Sequence, residues 1–229
     1  MLNGNVDINR YRKTSLSDDK RRFDFLKDAI TNKNILDFGC GAGGFLHLAT
    51  KVCSSVTGIE PDNTLRKILN HEEISCYHDI NEVDDKFDFI TLFHVLEHLT
   101  DPIKVLRSLV SKLNHNGKLI VKVPSSDDAL LTLFKSREFS EFTYWSCHLF
   151  LYNPNTLKMI ANKANYNVEY IKQIQRYPLS NHLHWLSNGT SGGHQIWNFL
   201  DSNELHLQYE KQLASIGKCD TLLMCISPK

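Results

Sequence analysis

The sequence predicts an α/β fold, in which a doubly wound and mostly parallel sheet carries helices on both faces. Short apolar segments alternate with amphipathic ones from about residue 34 onward. The first apolar segment ends in the glycine-rich turn Asp37-Phe38-Gly39-Cys40-Gly41, which is typical of a strand followed by a helix at a nucleotide site. A β-α-β-α alternation favours a parallel sheet that is buried on both sides.

The elements follow from the spacing of the apolar residues and from the turn residues between them. A first helix is predicted over residues 8–31, where Phe23, Leu26 and Ile30 form an apolar stripe. Asn114-His115-Asn116-Gly117 is interpreted as the stop of a later helix. The predicted strands span 34–39, 55–60, 74–78, 87–93, 117–123, 166–175 and 221–226. The other predicted helices span 43–51, 62–70, 101–113, 155–164 and 194–215.

The chain is predicted to be organised in four segments. Residues 177–218 hold Pro178 and the turn Gly189-Thr190-Ser191-Gly192-Gly193, and they are too many for a simple hairpin loop. We therefore expect a cap or lid there, with an apolar helix face that is available to a homodimer. The segments are an N-terminal helical cap (1–32), the cofactor-binding core (33–176), the cap insertion (177–218) and the final strand of the core (219–229).

Composition limits the classes of partner. The 229 residues include 26 basic and 26 acidic side chains, so the net charge gives no general attraction to nucleic acid or to anionic membranes. No apolar run approaches the ~20 residues of a membrane span, and the first residues lack the layout of a signal peptide. The six cysteines form no C-x-x-C pair and are interpreted as reduced thiols. We expect a cytoplasmic protein with a small-molecule substrate.

The glycine turn is compatible with two cofactors, NAD and S-adenosylmethionine. Gly39, Gly41 and Gly44 match the G-x-G-x-x-G fingerprint of dinucleotide sites. A carboxylate at Asp37 would repel a pyrophosphate but suits an amine or a cation, which favours S-adenosylmethionine over NAD. Glu60, about 20 residues after the turn, is placed to bind ribose hydroxyls. An NAD-dependent oxidoreductase remains the alternative at this point.

Five motifs in order resemble the class I S-adenosylmethionine-dependent methyltransferases over roughly residues 30–175. They are the strand and turn Ile35–Gly41, the strand end Gly58-Ile59-Glu60, Asp79 after the third strand, Leu96-Glu97-His98-Leu99-Thr100-Asp101-Pro102, and the strand Gly117–Pro124. The resemblance implies a Rossmann-like sheet of seven strands whose last strand is antiparallel, with a helical cap insertion. It also implies S-adenosyl-L-methionine as the cofactor.

The resemblance also implies residue roles. Asp37, Gly39 and Gly41 would surround the methionine part of the cofactor, and Glu60 would hold the ribose. Asp79 would bind the adenine amine. The complete set of implied cofactor-binding residues is Asp37, Phe38, Gly39, Cys40, Gly41, Glu60, Pro61, Asp79, Ile80, Phe93 and His94.

The acceptor is expected to be an oxygen of a sugar, a nucleotide-sugar, or a related capsule or lipopolysaccharide precursor. Residues 125–131, 144–150 and 175–183 resemble a subset of these enzymes that is associated with surface-polysaccharide and sugar modification. A histidine near neutral pKa is the natural base for an alcohol. The candidate bases are His94, His148, His182 and His194, and the candidate substrate-binding residues are Tyr11, Tyr144, Trp145 and Arg176.

His94, Glu97 and His98 also have the H-x-x-E-H spacing of a metalloprotease family. The same segment resembles the ubiquinone-pathway O-methyltransferases, which have a related acidic and histidine cluster, although His94 departs from their pattern. We interpret Glu97 and His98 as hydrogen-bonding groups at a helix start, and no residue is assigned to a metal. A methyltransferase-like fold without catalytic activity is a further alternative.

Overall fold

A seven-stranded sheet is the framework of the computed structural model, which describes residues 8–144 and 147–229. The strands of these residues are β1 (Asn34–Phe38), β2 (Ser55–Ile59), β3 (Ser75–Tyr77), β4 (Phe87–Phe93), β5 (Leu113–Pro124), β6 (Tyr166–Ile174) and β7 (Thr221–Pro228). The first helices are α1 (Ile8–Ile30), α2 (Gly44–Ala49), α3 (Asn63–His71), α4 (Pro102–Val110) and α5 (Ala129–Thr132). The later helices are α6 (Arg137–Thr143), α7 (Pro154–Lys163), α8 (Leu179–Asn188), α9 (Gly193–Ile196) and α10 (Asn203–Ser215).

The strand order is β3-β2-β1-β4-β5-β7-β6. β1 pairs in parallel with β2 and with β4, and β2 pairs in parallel with β3. The sheet is mostly parallel, and its last strands are antiparallel. The chain therefore moves outward from β1 to β3 and returns to β4 on the other side of β1. Ligands of doubly wound sheets bind outside the carboxyl ends of the strands at such a reversal. The predicted fold class is confirmed.

The chain divides into two compact units. The described residues of the first unit are 8–93, 104–120 and 226–229. Ile35 and Leu36 of β1 are fully buried, and so is Leu46 of α2, which packs against α1. α3 begins where the Asp62 carboxylate accepts the backbone N–H of Thr64 at 2.8 Å, an N-cap that satisfies an otherwise unpaired donor.

The second unit contains residues 94–103 and the described part of 121–225. α7 packs against β6, and the fully buried Leu157 and Tyr166 lie in these two elements. A capping box starts α7, since the Asn153 side chain accepts the Thr156 N–H at 2.9 Å and the Thr156 hydroxyl accepts the Asn153 N–H at 2.9 Å. The four predicted segments of the chain have other boundaries than these units, and they stay a prediction.

The single helix predicted over 194–215 is wrong. That stretch contains α9, a short 3₁₀ turn (Asn198–Leu200) and α10. Asp201 lies between the turn and α10 with extended backbone, and its carboxylate accepts the Ser180 hydroxyl at 2.5 Å. Ser202 then caps α10 by accepting the Leu205 N–H at 3.1 Å. The N-cap at Ser202 and the contact between Asp201 and Ser180 therefore divide the stretch into separate helices, although its apolar spacing is continuous.

α8 follows Pro178 and was not predicted from the sequence; its C-cap is Gly189, which has a positive φ of 67°. The buried positions of α8 include Ser180, Asn181 and His182. An apolar stripe at helical spacing is the main sequence signal of a helix, and a helix that buries polar side chains does not show it. α5 and α6 were missed as well, and both are short.

The predicted helix stop at 114–117 is also wrong, because α4 ends at Val110 and β5 begins at Leu113. The Asn114 side-chain amide donates to Asp88 Oδ1 at 2.9 Å. A β-carbon at Gly117 would lie 2.9 Å from the Phe87 carbonyl oxygen, so the glycine permits a close approach of two backbones. The residues typical of a turn therefore belong to the start of a strand. None of the described helices is long and apolar enough to span a membrane.

Gly58 lies at a crowded point of β2 in the first unit. A β-carbon there would lie 2.6 Å from Cys40 Sγ, 3.1 Å from Leu46 Cδ1 and 3.2 Å from Cys76 Sγ. The two sulfur atoms are themselves 3.8 Å apart. The space beside Gly58 is therefore filled by two thiols.

We expect Gly58→Ala to lower the free energy of unfolding by about 1–3 kcal/mol, because an added methyl group overpacks this point. Urea denaturation at equilibrium measures the loss. Ser55→Ala at the exposed start of the same strand is the control and should stay within about 0.5 kcal/mol of the wild type. Equal stability of all three proteins would show that the site relaxes freely.

Candidate active site

The glycine turn of the first unit lies at the carboxyl end of β1. Gly41 and Gly43 have positive φ angles of 55° and 72°, which residues with a β-carbon rarely adopt. A β-carbon at Gly43 would overlap Leu69 of α3. The backbone N–H groups of Gly39 and Cys40 both donate to the Ile59 carbonyl of β2, at 2.8 and 3.0 Å. The turn is therefore held against the end of the neighbouring strand.

The Glu60 carboxylate connects the ends of two strands. Its Oε2 accepts the Gly41 N–H at 2.8 Å, and its Oε1 accepts the Asp62 N–H at 2.8 Å. The Glu60 N–H donates to the Tyr77 carbonyl at the end of β3, at 3.0 Å. Each carboxylate oxygen has a second lone pair. Glu60 is therefore rigidly positioned and can still accept two ligand hydroxyls.

Asp37 is a buried carboxylate at the end of β1, with 3% of its surface exposed. The Thr91 hydroxyl of β4 donates to its Oδ1 at 2.6 Å. Burial raises the pKa of Asp37 to about 7, although the bond from Thr91 and the charge of Arg22 act in the opposite direction. A ligand ammonium group beside Asp37 would favour the charged carboxylate. This chemistry suits the amine of S-adenosylmethionine.

Phe93 ends β4, and its ring packs edge-to-face against Phe45 at a centroid distance of 5.0 Å. The Arg22 guanidinium of α1 lies over the same ring at 4.8 Å. Asp18 and Asp19, both buried, form ion pairs with Arg22 at 2.6 and 3.0 Å. This cluster of charged residues in α1 was not predicted from the sequence. Its signal was the i, i+3 and i, i+4 spacing of opposite charges, which is more often a solvated surface.

Tyr11 of α1 lies beside the glycine turn, since its hydroxyl would be 3.3 Å from a β-carbon on Gly41. Burial, with the charges of Glu60 and Asp19, raises the pKa of the phenol. Tyr11 is half exposed. The predicted substrate-binding residue is therefore next to the predicted cofactor residues of the same unit.

The remaining cofactor candidates lie at the ends of β1, β2 and β3. Asp79 follows β3, and its Oδ1 accepts the Asn81 backbone N–H at 2.8 Å, so it also caps a 3₁₀ turn. Ile80 is buried, and the Pro61 carbonyl accepts from Arg66 Nη1 at 2.7 Å. Phe38 is the last residue of β1. The first unit therefore brings together all of the predicted cofactor residues except His94.

A pocket of about 350 Å³ lies within the second unit. It brings together five of the predicted acceptor-side residues, which are His94, His148, Arg176, His182 and His194. Tyr144 does not line it and is exposed, and Trp145 lies outside the described residues. One wall is an aromatic cluster in which the Trp185 ring lies 5.1 Å from Phe139 and 5.3 Å from Phe142.

His94 has a carboxylate partner in this pocket. Its Nδ1 lies 3.2 Å from Oε1 of Glu97, whose side chain is fully buried. The backbone of His94 has a positive φ of 57°, a strained conformation for this residue type. Its N–H donates to the Lys122 carbonyl of β5 at 2.8 Å, which holds the strained turn in place. A histidine whose Nδ1–H is oriented by a carboxylate has Nε2 as its proton acceptor.

His182 and His194 have other partners. Nε2 of His182 lies 3.2 Å from the Gln175 amide nitrogen, which only donates, and Nδ1 lies 2.6 Å from the Tyr209 hydroxyl. His194 Nδ1 lies 3.2 Å from Asn181 Oδ1. Burial lowers the pKa of both histidines. The contacts of His182 use both of its ring nitrogens, so it fits a structural role better than that of a base.

Two further carboxylates, Asp128 and Asp220, line the pocket besides Glu97, and neither was given a role from the sequence. Asp220 accepts the backbone N–H groups of Arg176 at 2.8 Å and Tyr177 at 3.0 Å. Asp128 accepts the Leu130 N–H at 2.7 Å, and burial together with Asp220 raises its pKa to about 8. The Arg176 guanidinium lies 5.1 Å from the centre of the Tyr177 ring. Asp220 therefore fixes the backbone that carries Arg176 at the pocket.

Comparison with known families gives one assignment over most of the chain. The sequence model of a family described as a methyltransferase domain matches residues 8–171. The ubiquinone biosynthesis O-methyltransferase of Hydrogenovibrio crunogenus is 24% identical over 185 residues, which cover 71% of this chain and 77% of that protein. The enzyme of the same name from Actinobacillus pleuropneumoniae serotype 7 is 25% identical over 201 residues, with 74% and 82% covered.

Solved structures agree with the fold. A SAM-dependent methyltransferase from Archaeoglobus fulgidus superposes with a TM-score of 0.62 at 15% identity, over 94% of this chain and 93% of that one. A structure from Thermotoga maritima, described as a SAM-dependent methyltransferase and possible histamine N-methyltransferase, gives 0.61 at 16% identity, over 97% and 96%. At sequence identities of 15–16%, the similarity to these two structures supports the fold alone.

We expect Asp37→Asn to change the pH dependence of stability. The pKa of Asp37 is about 7 in the folded protein, and its ordinary value is 3.8. Between pH 3.8 and pH 7 the Asp37 carboxyl therefore binds a larger fraction of a proton in the native state than in the unfolded state. The contribution of Asp37 is therefore fully present below pH 4 and decreases as the pH rises to 7, by about 1.4 kcal/mol per pH unit. Asn cannot ionise, so the variant should lose this decrease.

Urea denaturation at a series of pH values, with the wild-type curve subtracted, isolates the effect. Asp84→Asn removes an exposed carboxylate of the same unit and should give a difference that barely varies with pH. A flat difference for Asp37→Asn as well would mean that the pKa of Asp37 is the same in the folded and the unfolded protein.

Proposed function

The chain belongs to the methyltransferase-domain family, and we propose that it transfers the methyl group of S-adenosylmethionine to a hydroxyl group of a small molecule. The observation that carries the proposal is the position of Glu60, Gly41 and Asp37 at the carboxyl ends of β1 and β2. His94, a pocket residue of the second unit with a carboxylate partner, follows Phe93 directly in the chain. Together they supply the parts that a methyl transfer to oxygen needs.

The first unit supplies the cofactor site. Glu60 would accept hydrogen bonds from the ribose hydroxyls, and Asp37 would bind the ammonium group of the methionine part. Asp79 would accept from the adenine amine. Phe93 presents an aromatic ring, which stabilises a soft cation without a full counter-charge. When bound, S-adenosylmethionine supplies an electrophilic methyl group on its sulfonium.

His94 is the proposed base. An alcohol oxygen becomes a good nucleophile only as its proton leaves, and the proton would pass to His94 Nε2. The buried Glu97 carboxylate orients the ring through Nδ1 and stabilises the imidazolium that forms. His148 is a second candidate, but its Nδ1 lies 2.9 Å from the Thr143 carbonyl, which carries no full charge.

We propose a sugar or nucleotide-sugar hydroxyl as the acceptor. The aromatic cluster of Phe139, Phe142 and Trp185 can stack against a sugar ring, and Arg176 can bind a phosphate. The same cluster also fits a planar aromatic alcohol, and the description of the relatives as enzymes of ubiquinone biosynthesis favours that second acceptor. A screen of both acceptor classes for methylated product by mass spectrometry separates the two.

We expect Glu60→Ala to weaken S-adenosylhomocysteine binding by about 10–100-fold, since it removes a charged acceptor and releases the glycine turn. Titration calorimetry measures the affinity. Asp84→Ala, an exposed carboxylate of the same unit, is the matched control and should bind like the wild type. Tight NADH binding by the wild type without binding of S-adenosylhomocysteine would favour an oxidoreductase.

We expect His94→Gln to reduce kcat about 10²–10⁴-fold with the active acceptor from the screen, and to change the affinity for S-adenosylhomocysteine by a much smaller factor, because the proposed base acts on the acceptor. Single-turnover methyl transfer at saturating acceptor measures the effect. His115→Gln, at an exposed histidine, is the control and should leave kcat unchanged. An undiminished kcat in His94→Gln rules out this base, and cofactor binding without transfer to any acceptor would favour a binding subunit.

A further inference from the structure

We propose that His98, Cys147 and His148 bind a zinc ion at the edge of the pocket in the second unit. One ligand atom of each residue lies within 4.8 Å of those of the other two. No metal ligand was predicted from the sequence, and Cys147 was expected to be a reduced thiol. The proposed ligands also differ from the residues of the H-x-x-E-H motif, because the two sets have only His98 in common.

The distances are close to those that zinc requires. Zinc–nitrogen bonds of about 2.0 Å and zinc–sulfur bonds of about 2.3 Å place tetrahedral ligand atoms about 3.3–3.8 Å apart. Starting from separations within 4.8 Å, the three ligand atoms need to approach one another by about 1.5 Å at most. His98 and Cys147 are exposed and His148 is half-buried, so their side chains can rotate by this amount without repacking a core.

The hydrogen bonds of the two histidines provide a second and independent observation. His98 Nδ1 lies 2.5 Å from the Cys147 carbonyl oxygen, and His148 Nδ1 lies 2.9 Å from the Thr143 carbonyl oxygen. A carbonyl only accepts, so both rings carry their hydrogen on Nδ1 and have the lone pair on Nε2. Metal-binding histidines are usually oriented by an Nδ1–H bond of this kind.

The contact between His98 and Cys147 explains how residues 49 positions apart meet. The Leu149 N–H donates to the Glu97 carbonyl at 2.9 Å, next to the bond between His98 and Cys147. The segment that carries Cys147 and His148 is thereby fastened to the segment that carries His98. The His98 and His148 rings consequently lie 5.1 Å apart, with an angle of 37° between their planes.

The chemical types of the three ligands favour zinc over other metal ions. One thiolate and two imidazoles suit zinc, whereas magnesium and calcium prefer oxygen ligands. Three protein ligands leave one position of a tetrahedral zinc ion open. Because His98 and His148 both line the pocket, that position is accessible to water or to an acceptor oxygen. The inference does not depend on the proposed methyl transfer.

Metal content and spectroscopy of the full-length protein test the site. Protein that is dialysed against excess zinc and then against metal-free buffer should retain about one zinc ion per chain, measured by plasma mass spectrometry. The cobalt-substituted protein should show a thiolate-to-cobalt charge-transfer band. Cys147→Ser should abolish that band and weaken zinc binding by about 100-fold or more, and His148→Ala should weaken it similarly.

Cys53→Ser and His115→Ala are the controls. Cys53 is half-buried and His115 is exposed, and both belong to the first unit, so zinc binding should be unchanged in these variants. Circular dichroism checks that each variant is folded. A wild type that retains no zinc overturns the inference, and so does zinc binding that Cys147→Ser leaves intact. Zinc retained by a protein without methyltransferase activity would contradict only the proposed function.

Discussion

The carboxylate of Glu60 is the constraint on which the arrangement of the first unit depends. A glycine turn has no side chains that could fix its shape, and here the two oxygens of one residue bind Gly41 on one side and Asp62 on the other. Asp62 in turn caps α3. The turn, the end of β2 and the start of a helix thus share one charged group. A residue predicted only as a ribose ligand therefore also holds the glycine turn in place.

The sheet was predictable because each of its strands is a short apolar segment with turn residues at both ends. Asp37 and Glu60 were chosen as candidates for a related reason, since each carboxylate lies at the end of a buried strand, where doubly wound sheets bind their ligands. The antiparallel end of the sheet was predicted from the resemblance to a family rather than from the pattern of apolar residues, and the order of the strands was not predicted. The sequence was most informative where a chemically reactive side chain lies at the end of a short apolar segment.

The second unit was less predictable, and α8 shows why. Its buried positions carry serine, asparagine and histidine, whose partners come from distant parts of the chain, such as Asp201 for Ser180 and Tyr209 for His182. Such partners cannot be inferred from local spacing. The four candidate histidines were found by residue type alone, and only the contact between His94 and Glu97 distinguishes one of them. The proximity of Cys147 to His98 likewise could not be inferred from the sequence, because the two residues are distant in the chain.

Gly58 has a consequence for how this sequence can vary. The volume that its missing side chain leaves is occupied by the sulfur atoms of Cys40 and Cys76, so the three positions share one small space. A larger residue at any one of them requires a smaller residue at another. Positions 40, 58 and 76 should therefore covary among homologues, and the choice of residue within the glycine turn is coupled to two strands that do not themselves belong to the turn.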